Sequence, residues 1–289
     1  MTAGPSSRFR FVQLDVPGHL GLDDGRYLVC GEGGNGQAVV VVQTLGAVAG
    51  RLPRRQRRAH RVDHGPPPEV PLTRLTMIPA EPDEVEAAAR ELERVTGDPE
   101  AAELAIGAAL RTANHVLRAH RIATQDPYGH EIGREAALVA RVGYGTGEGL
   151  AEGRWEQAFE VPPPAQRRRR AQALRPQERL AAVLAGREPI DPCEPLLLRA
   201  RADLEAGRPR EAAFQLRVGL EALLAELPGD AGPDQEEDLA ALDARLEAAL
   251  AAAHEALGGE LSAERVSELG ETLRICERVL RRRQALRPE

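Results

Sequence analysis

Residues 239–280 of this 289-residue chain have the sequence LAALDARLEAALAAAHEALGGELSAERVSELGETLRICERVL. Apolar residues recur along it at spacings of three and four, which is the pattern of a coiled-coil seam. The seam positions are Leu239, Leu242, Leu246, Ala249, Ala253 and Leu257 in the first arm, and Val266, Leu269, Leu273, Cys276 and Leu280 in the second. Because Gly258 and Gly259 separate the arms and Ser262 suits the N-cap of the second, the segment predicts an antiparallel helical hairpin.

The leucines of this seam are the predicted partner-binding residues, namely Leu242, Leu246, Leu269 and Leu273. Their combined apolar surface is too wide for two helices to hide from water, and exposing it costs roughly 25 cal/mol per Å². Something else must therefore cover the seam. Two arrangements are open: an internal four-helix bundle, or a contact with another chain, either a second copy or a different protein.

Three shorter helices are predicted ahead of the hairpin, at 176–185, 192–206 and 209–227. Each begins at or near a proline, and each ends at glycine or at Pro-Gly, which is the usual punctuation of helices. The chain is thus predicted to be all helical from residue 176 to residue 289.

A limited family resemblance lies within this region. Residues 195–227 resemble a tetratricopeptide hairpin in their small residues, their tight turn at 205–208 and their flanking leucines. The small residues are Ala200, Ala212 and Gly219, and the leucines are Leu196, Leu204, Leu216 and Leu220. The resemblance implies partner binding through a helical groove and no catalysis.

The Pro/Arg-rich segment 162–175 is predicted to be a linker, because it contains three adjacent prolines and the arginine run 167–170. Prolines deny donors to a sheet, and adjacent like charges repel one another. We therefore predict a first domain at 1–161 and a second at 176–289.

The first domain has the patterns of an α+β fold. Phe9 and Phe11 alternate with arginines, as in a strand with two different faces, and Asn35-Gly36 separates two further strand-like runs. Within 136–161, apolar residues recur at every second position on both sides of a glycine-rich turn. Two helices are expected between these strands, one ending at Gly97 and the next capped by Asp98 and running to about residue 121. An antiparallel sheet with helices on one face is the simplest solution, with residues 51–71 as an exposed Arg/Pro-rich loop.

The composition excludes several enzyme classes. The chain contains no Lys, so it forms no Schiff base, holds no pyridoxal phosphate and has no P-loop. Cys30, Cys193 and Cys276 are too scattered for a disulfide framework or a zinc site, and no apolar run is long enough for a membrane span or a signal peptide. We expect a soluble cytoplasmic protein without a cofactor or a metal, and the Ala/Arg/Gly/Pro bias suggests a bacterial source.

The segment 126–131 is the catalytic candidate, because Asp126, Tyr128, His130 and Glu131 gather there between a helix and a strand. Loops of this kind often carry general acid–base groups. The same residues are equally well explained as a turn with solvated side chains. An enzyme is therefore the third hypothesis for function.

The arginine clusters 51–61 and 167–170 raise the possibility of nucleic-acid binding, with Arg54, Arg55, Arg57 and Arg58 as the candidate contacts. The net charge of −7 and the scarcity of aromatic residues argue against it. His60 and His64 have a spacing that suits zinc, but the surrounding arginines repel a cation. The leading hypothesis is an interaction or accessory protein that docks partners through its helical half, and nucleic-acid binding is the alternative.

Overall fold

The computed structural model describes residues 7–30, 37–46, 70–147, 149–163, 170–227 and 233–286, without the side chains of 170–175, 233–235 and 284–286. The chain divides into two compact units, Met1–Gln166 and Arg167–Glu289. The first is an α+β unit built on an antiparallel sheet and the second is helical, which confirms the predicted fold class. None of the helices in the described part of the chain combines the length and apolarity needed to cross a bilayer.

Seven antiparallel strands form the sheet of the first unit. They are β1 (Ser7–Pro17), β2 (Gly25–Cys30), β3 (Gln37–Leu45), β4 (Leu72–Pro79), β5 (Asp83–Glu84), β6 (Val139–Gly145) and β7 (Gln157–Glu160). The order is β2-β3-β4-β1-β6-β7, and β5 pairs with the start of β1. Both predicted hairpins are present, as β2/β3 and β6/β7. The loop predicted between β2 and β3 lies outside the described residues.

Two helices cover one face of this sheet. They are α1 (Val85–Gly97) and α2 (Pro99–Thr124), and the Asp98 side chain accepts a hydrogen bond of 2.9 Å from the Glu100 amide at the start of α2. Helix α2 ends at Thr124, slightly beyond the predicted end, and its C-cap residue Gln125 adopts a left-handed conformation. Alternate residues of the central strands, such as Leu14, Val40 and Leu75, pack with Ile106 in a common core.

The opposite face of the sheet is covered by the connection between β6 and β7. Leu150 and Ala151 of this connection are buried against Phe9 and Phe11, and Trp155 stacks on Phe11 with ring centroids 5.5 Å apart. The sequence predicted a glycine-rich turn here, and the structure adds that the apolar residues between the glycines fold back onto the sheet.

Gly143 lets Phe11 and β7 approach β6 closely. A Cβ atom at Gly143 would lie 2.8 Å from Phe11 Cε1 and 2.9 Å from Ala158 Cα, and it would also meet the Gln157 carbonyl oxygen. We expect Gly143→Ala to lower the free energy of unfolding by about 2 kcal/mol, as overpacking does in a tight core. Urea unfolding followed by the fluorescence of Trp155, which is the chain's one Trp, measures this effect in the first unit.

The matched control is Gly107→Ala in α2, where the nearest atom to an added Cβ is Arg111 Nη1 at 3.7 Å. Alanine there is expected to stabilise the unit by about 0.5–1 kcal/mol, because glycine loses more backbone entropy in a helix. Equal effects of the two substitutions would contradict the close approach at Gly143.

A polar network lies beside the covered apolar face, on the same side of β1. Asp15 is bridged by Arg74, whose Nε and Nη2 donate to the two carboxylate oxygens at 2.7 and 2.9 Å, and by Arg141 Nη1 at 3.0 Å. Gln13 Nε2 donates to Thr76 Oγ1 at 3.0 Å. Burial alone raises the pKa of Asp15, but the hydrogen bonds from both arginines outweigh it and hold the pKa below its ordinary value.

The second unit contains five helices within its described residues. They are α3 (Arg170–Leu184), α4 (Cys193–Glu205), α5 (Pro209–Glu226), α6 (Pro233–Gly258) and α7 (Ala263–Leu286). Helix α3 starts six residues before its predicted start and carries Pro176 inside. The predicted linker 162–175 is therefore shorter at its C-terminal end. A helix tolerates an internal proline at the cost of one backbone hydrogen bond, so Pro176 did not mark the boundary.

Helices α4 and α5 cross closely at the small residues that carry the tetratricopeptide resemblance. A Cβ at Gly219 of α5 would lie 3.0 Å from Leu197 Cδ2 of α4, and Ala200 and Ala212 are buried. Asp203 is buried near the turn and bridges Arg208, whose Nε and Nη2 donate to Oδ1 at 3.0 and 2.8 Å. A salt bridge thus helps to fix the turn of this hairpin.

Candidate functional site

An apolar groove lies between α3, α4 and α7 of the second unit, with a volume of about 440 Å³. Its apolar lining consists of Pro176, Leu180, Val183, Ile190, Pro195, Leu197, Leu198 and Leu280. Several of these side chains are largely exposed, with Leu180 at 57%, Ile190 at 62% and Leu198 at 72%. We call this surface the α3–α4 groove.

The exposed apolar residues of the second unit concentrate around this groove. Among its described residues, four of the seven large hydrophobics that stay exposed belong to α3, α4 or their connection: Leu180, Leu184, Ile190 and Leu198. Single exposed leucines are ordinary on protein surfaces, whereas a contiguous group often marks an interaction site. The grouping is therefore the informative feature.

The local sequence explains why α3 presents such a face. Leu180, Val183 and Leu184 are spaced by three and four residues, so they lie on one side of the helix. In α4 the neighbours Leu197 and Leu198 point in different directions, and Leu197 is buried in the core while Leu198 is exposed. The groove thus lies at the boundary between the buried core side chains and the leucines that face outward.

The charged groups at the groove are paired within the unit. Arg179 Nη2 donates to both carboxylate oxygens of Glu194 at 2.6 and 2.7 Å, and its Nε lies 3.5 Å from Glu188. The hydrogen bond to Glu194 raises the pKa of Arg179. On the α7 side, Arg201 Nε donates to Glu277 at 2.7 Å. Both guanidinium groups are thus paired with carboxylates of the same unit, and the floor between these pairs is apolar.

The predicted partner-binding leucines lie elsewhere. Leu242, Leu269 and Leu273 are at most 3% exposed and Leu246 is half-buried, and all four pack in one core with residues of α4 and α5. Of the two arrangements left open, the internal bundle is the one observed in this unit. The seam is therefore covered by the chain's own helices, and these side chains are placed in the core rather than on a docking surface. Leu257, assigned to the same seam, is 69% exposed instead.

The four catalytic candidates form a turn after α2. Asp126 Oδ1 accepts a hydrogen bond of 2.9 Å from the Tyr128 amide, and His130 Nδ1 lies 3.2 Å from the Tyr128 carbonyl oxygen. Asp126, Tyr128 and His130 are exposed, with Tyr128 at 87%, and Glu131 is half-buried. The structure brings the group together, but on a surface open to water rather than in a closed site. Catalysis at this loop stays a prediction.

The remaining sequence candidates divide into two groups. Arg54, Arg55, Arg57, Arg58 and the two histidines beside them lie outside the described residues, as do 167–169 of the second arginine cluster. The described residues hold no group of three His, Cys, Asp or Glu side chains arranged for a metal ion. Nucleic-acid binding by the arginine clusters thus stays a prediction.

Two of the cysteines belong to the core of the second unit. Burial raises the pKa of the Cys276 thiol to about 12, and burial together with a hydrogen bond to Glu226 raises the pKa of Cys193 strongly. The thiolate is the reactive form of cysteine, so both thiols are inert near neutral pH. They act as small apolar side chains.

Comparison with known proteins gives no family for this chain: no family model, no curated protein and no solved structure matches it.

Proposed function

We propose that this chain is a non-enzymatic interaction or accessory protein that binds a partner protein in the α3–α4 groove. The observation that carries the proposal is the contiguous set of exposed leucine and isoleucine side chains along this groove. A surface of this kind gains free energy when a second apolar surface removes it from water.

The occupant that fits the groove is the apolar face of an amphipathic helix. Three helices form its walls, and such grooves accept a helix that presents apolar residues at spacings of three, four and seven. The internal pairing of Arg179 and Arg201 leaves little charge for a strongly acidic or basic segment to bind. The tetratricopeptide resemblance of α4 and α5 favours the same mode, since it implies a helical groove.

The double substitution Leu180→Asp with Leu198→Asp tests the proposal. Both side chains are mostly exposed, so the fold is expected to tolerate the change within about 0.5 kcal/mol for each. Partners are first captured on the wild-type chain from native cell extract and purified, and their affinity is then measured by calorimetry. We expect the double variant to bind the purified partner at least about 10-fold more weakly, a loss of 1.4 kcal/mol or more.

The matched control is Leu257→Asp in α6, which places the same charge at an equally exposed leucine outside the groove. Its affinity for the partner is expected to equal that of the wild type. Equal binding by the groove variant and the control would contradict the proposal. Capture that disappears after nuclease treatment would instead favour the arginine clusters and a nucleic-acid partner.

A further inference from the structure

A second cavity lies in the first unit, between the helix-facing side of the sheet and the helices α1 and α2, with a volume of about 310 Å³. Met77 and Val142 of the sheet form its floor, and Ala88, Leu92, Ala105 and Ala109 of the helices form its walls. We call this space the interlayer cleft. It belongs to a different unit from the α3–α4 groove, so binding in the cleft is independent of the function proposed for that groove.

The cleft exists because the helices place alanines where larger side chains usually fill the space between the layers. Ala88 and Ala109 are buried, Ala105 is half-buried, and Ala108 at the outer edge is exposed. The cleft opens to solvent at this edge, so it is a surface recess between the sheet and its helices that a ligand can enter. Its volume lies at the lower end of the range of about 300–1,000 Å³ found for small-molecule sites, which are also lined mainly by apolar side chains.

The polar groups at the cleft determine the charge of the ligand. Arg10 donates from Nε and Nη2 to the Asp83 carboxylate at 2.6 and 3.2 Å, and its Nη1 lies 3.9 Å from Glu91 Oε1. The hydrogen bonds from Arg94 hold the pKa of Glu91 below its ordinary value, so Glu91 is ionised near neutral pH. The carboxylates of Asp83 and Glu91 thus pair with the guanidinium groups of Arg10 and Arg94, and the four charges balance. An anionic ligand therefore finds Arg10 already paired and must give up its hydration for an apolar lining.

We propose that the interlayer cleft binds a neutral, mainly apolar small molecule. Its apolar body lies against Met77 and the alanines of α1 and α2. Thr112 at the cleft provides a hydroxyl oxygen for one polar group of the ligand. The thioether of Met77 is flexible and polarisable, so the floor adapts to ligands of somewhat different shape.

The test uses two fluorescent probes with the same ring skeleton, the neutral N-phenyl-1-naphthylamine and the anionic 1-anilinonaphthalene-8-sulfonate. The full chain is titrated with each probe, and emission rises when a probe leaves water for an apolar site. We expect saturable binding of the neutral probe and binding at least about 10-fold weaker for the sulfonate. Equal affinity for both probes, or no saturable binding of the neutral one, would overturn the proposal.

The site of binding is fixed by a substitution pair in α2. Ala105→Phe fills the cleft and is expected to lower the affinity for the neutral probe at least about 10-fold. Ala119→Phe adds the same ring at an exposed alanine of the same helix, and the affinity of this variant for the probe is expected to equal that of the wild type. Wild-type affinity in a folded Ala105→Phe variant would place the probe elsewhere, including in the α3–α4 groove, and overturn the proposal.

If Ala105→Phe does not fold, a measurement on the wild-type chain locates the bound probe instead. The chain contains two methionines, Met1 and Met77, and Met77 lines the cleft. With ¹³C-labelled methionine methyl groups, binding of the neutral probe is expected to shift the Met77 signal through the ring current. A Met77 signal that stays in place at probe saturation excludes the cleft.

Discussion

The substitution Asp15→Asn is expected to lower the free energy of unfolding of the first unit by about 3 kcal/mol, near the lower end of the range for breaking a buried ion pair. The Asp15 side chain is 6% exposed, and both Arg74 and Arg141 depend on it for hydrogen bonds. Asparagine keeps the shape but removes the charge, so two partly buried guanidinium groups lose their common partner. These groups retain some contact with water, which limits the cost. Urea unfolding followed by Trp155 fluorescence measures it.

Glu160→Gln is the matched control for Asp15→Asn, because Glu160 contacts the same Arg141 at 3.5 Å but is 62% exposed. Removing an exposed partner of this kind costs less than about 1 kcal/mol. If Asp15→Asn proved as mild as Glu160→Gln, the network would be a surface feature and not a structural element of the sheet.

The lowered pKa of Asp15 also predicts how stability depends on pH. In the unfolded chain an aspartate titrates near its ordinary pKa of about 3.9, whereas in the fold the two arginines hold the pKa lower. The stabilisation is therefore fully present above the unfolded pKa and is lost as the pH falls through the folded pKa. Between about pH 6 and pH 3, the wild type is expected to lose more stability than Asp15→Asn does. An identical loss in both proteins would mean that Asp15 does not titrate abnormally.

The sequence predicted those parts of the fold that depend on local patterns. The alternation in β1, the strands of both hairpins and the capping by Asp98 are set by residues that are close together in the chain. The Asp15 network was missed, because it joins three strands that are distant in sequence. A signal was present: Gln13 and Asp15 continue the face of Phe9 and Phe11, and polar residues on a buried face need partners.

The candidate groove was missed for a different reason. The heptad-like spacing in α6 and α7 showed that the seam had to be covered, but a stripe of apolar residues does not encode what covers it. In the structure α4 and α5 cover the seam, so the leucines of the strongest sequence pattern lie in the core of the unit. The groove instead uses Leu180 and Leu198, whose exposure depends on the way α3 and α4 pack. Helix propensity and spacing do not determine that packing.

Leu273→Asp is expected to unfold the second unit, because it places a carboxylate in the middle of the helical core. Leu273 is 1% exposed and packs in one cluster with Leu197, Leu220 and Leu242. An unpaired charge in such a core costs on the order of 5 kcal/mol or more, which approaches the whole stability of a typical domain. The expected result is loss of much of the helical circular dichroism, while Trp155 fluorescence in the first unit stays native.

The control for this substitution is Leu257→Asp, at a residue that was assigned to the same seam but is 69% exposed. Its circular dichroism and sedimentation are expected to match those of the wild type. The contrast decides between the two arrangements that the sequence left open. An internal bundle makes Leu273→Asp a folding defect at every protein concentration. If the seam were shared with another chain, the Leu273→Asp variant would stay helical and only its mass in sedimentation would change. That outcome would mean that partners bind at the seam of α6 and α7 and not in the α3–α4 groove.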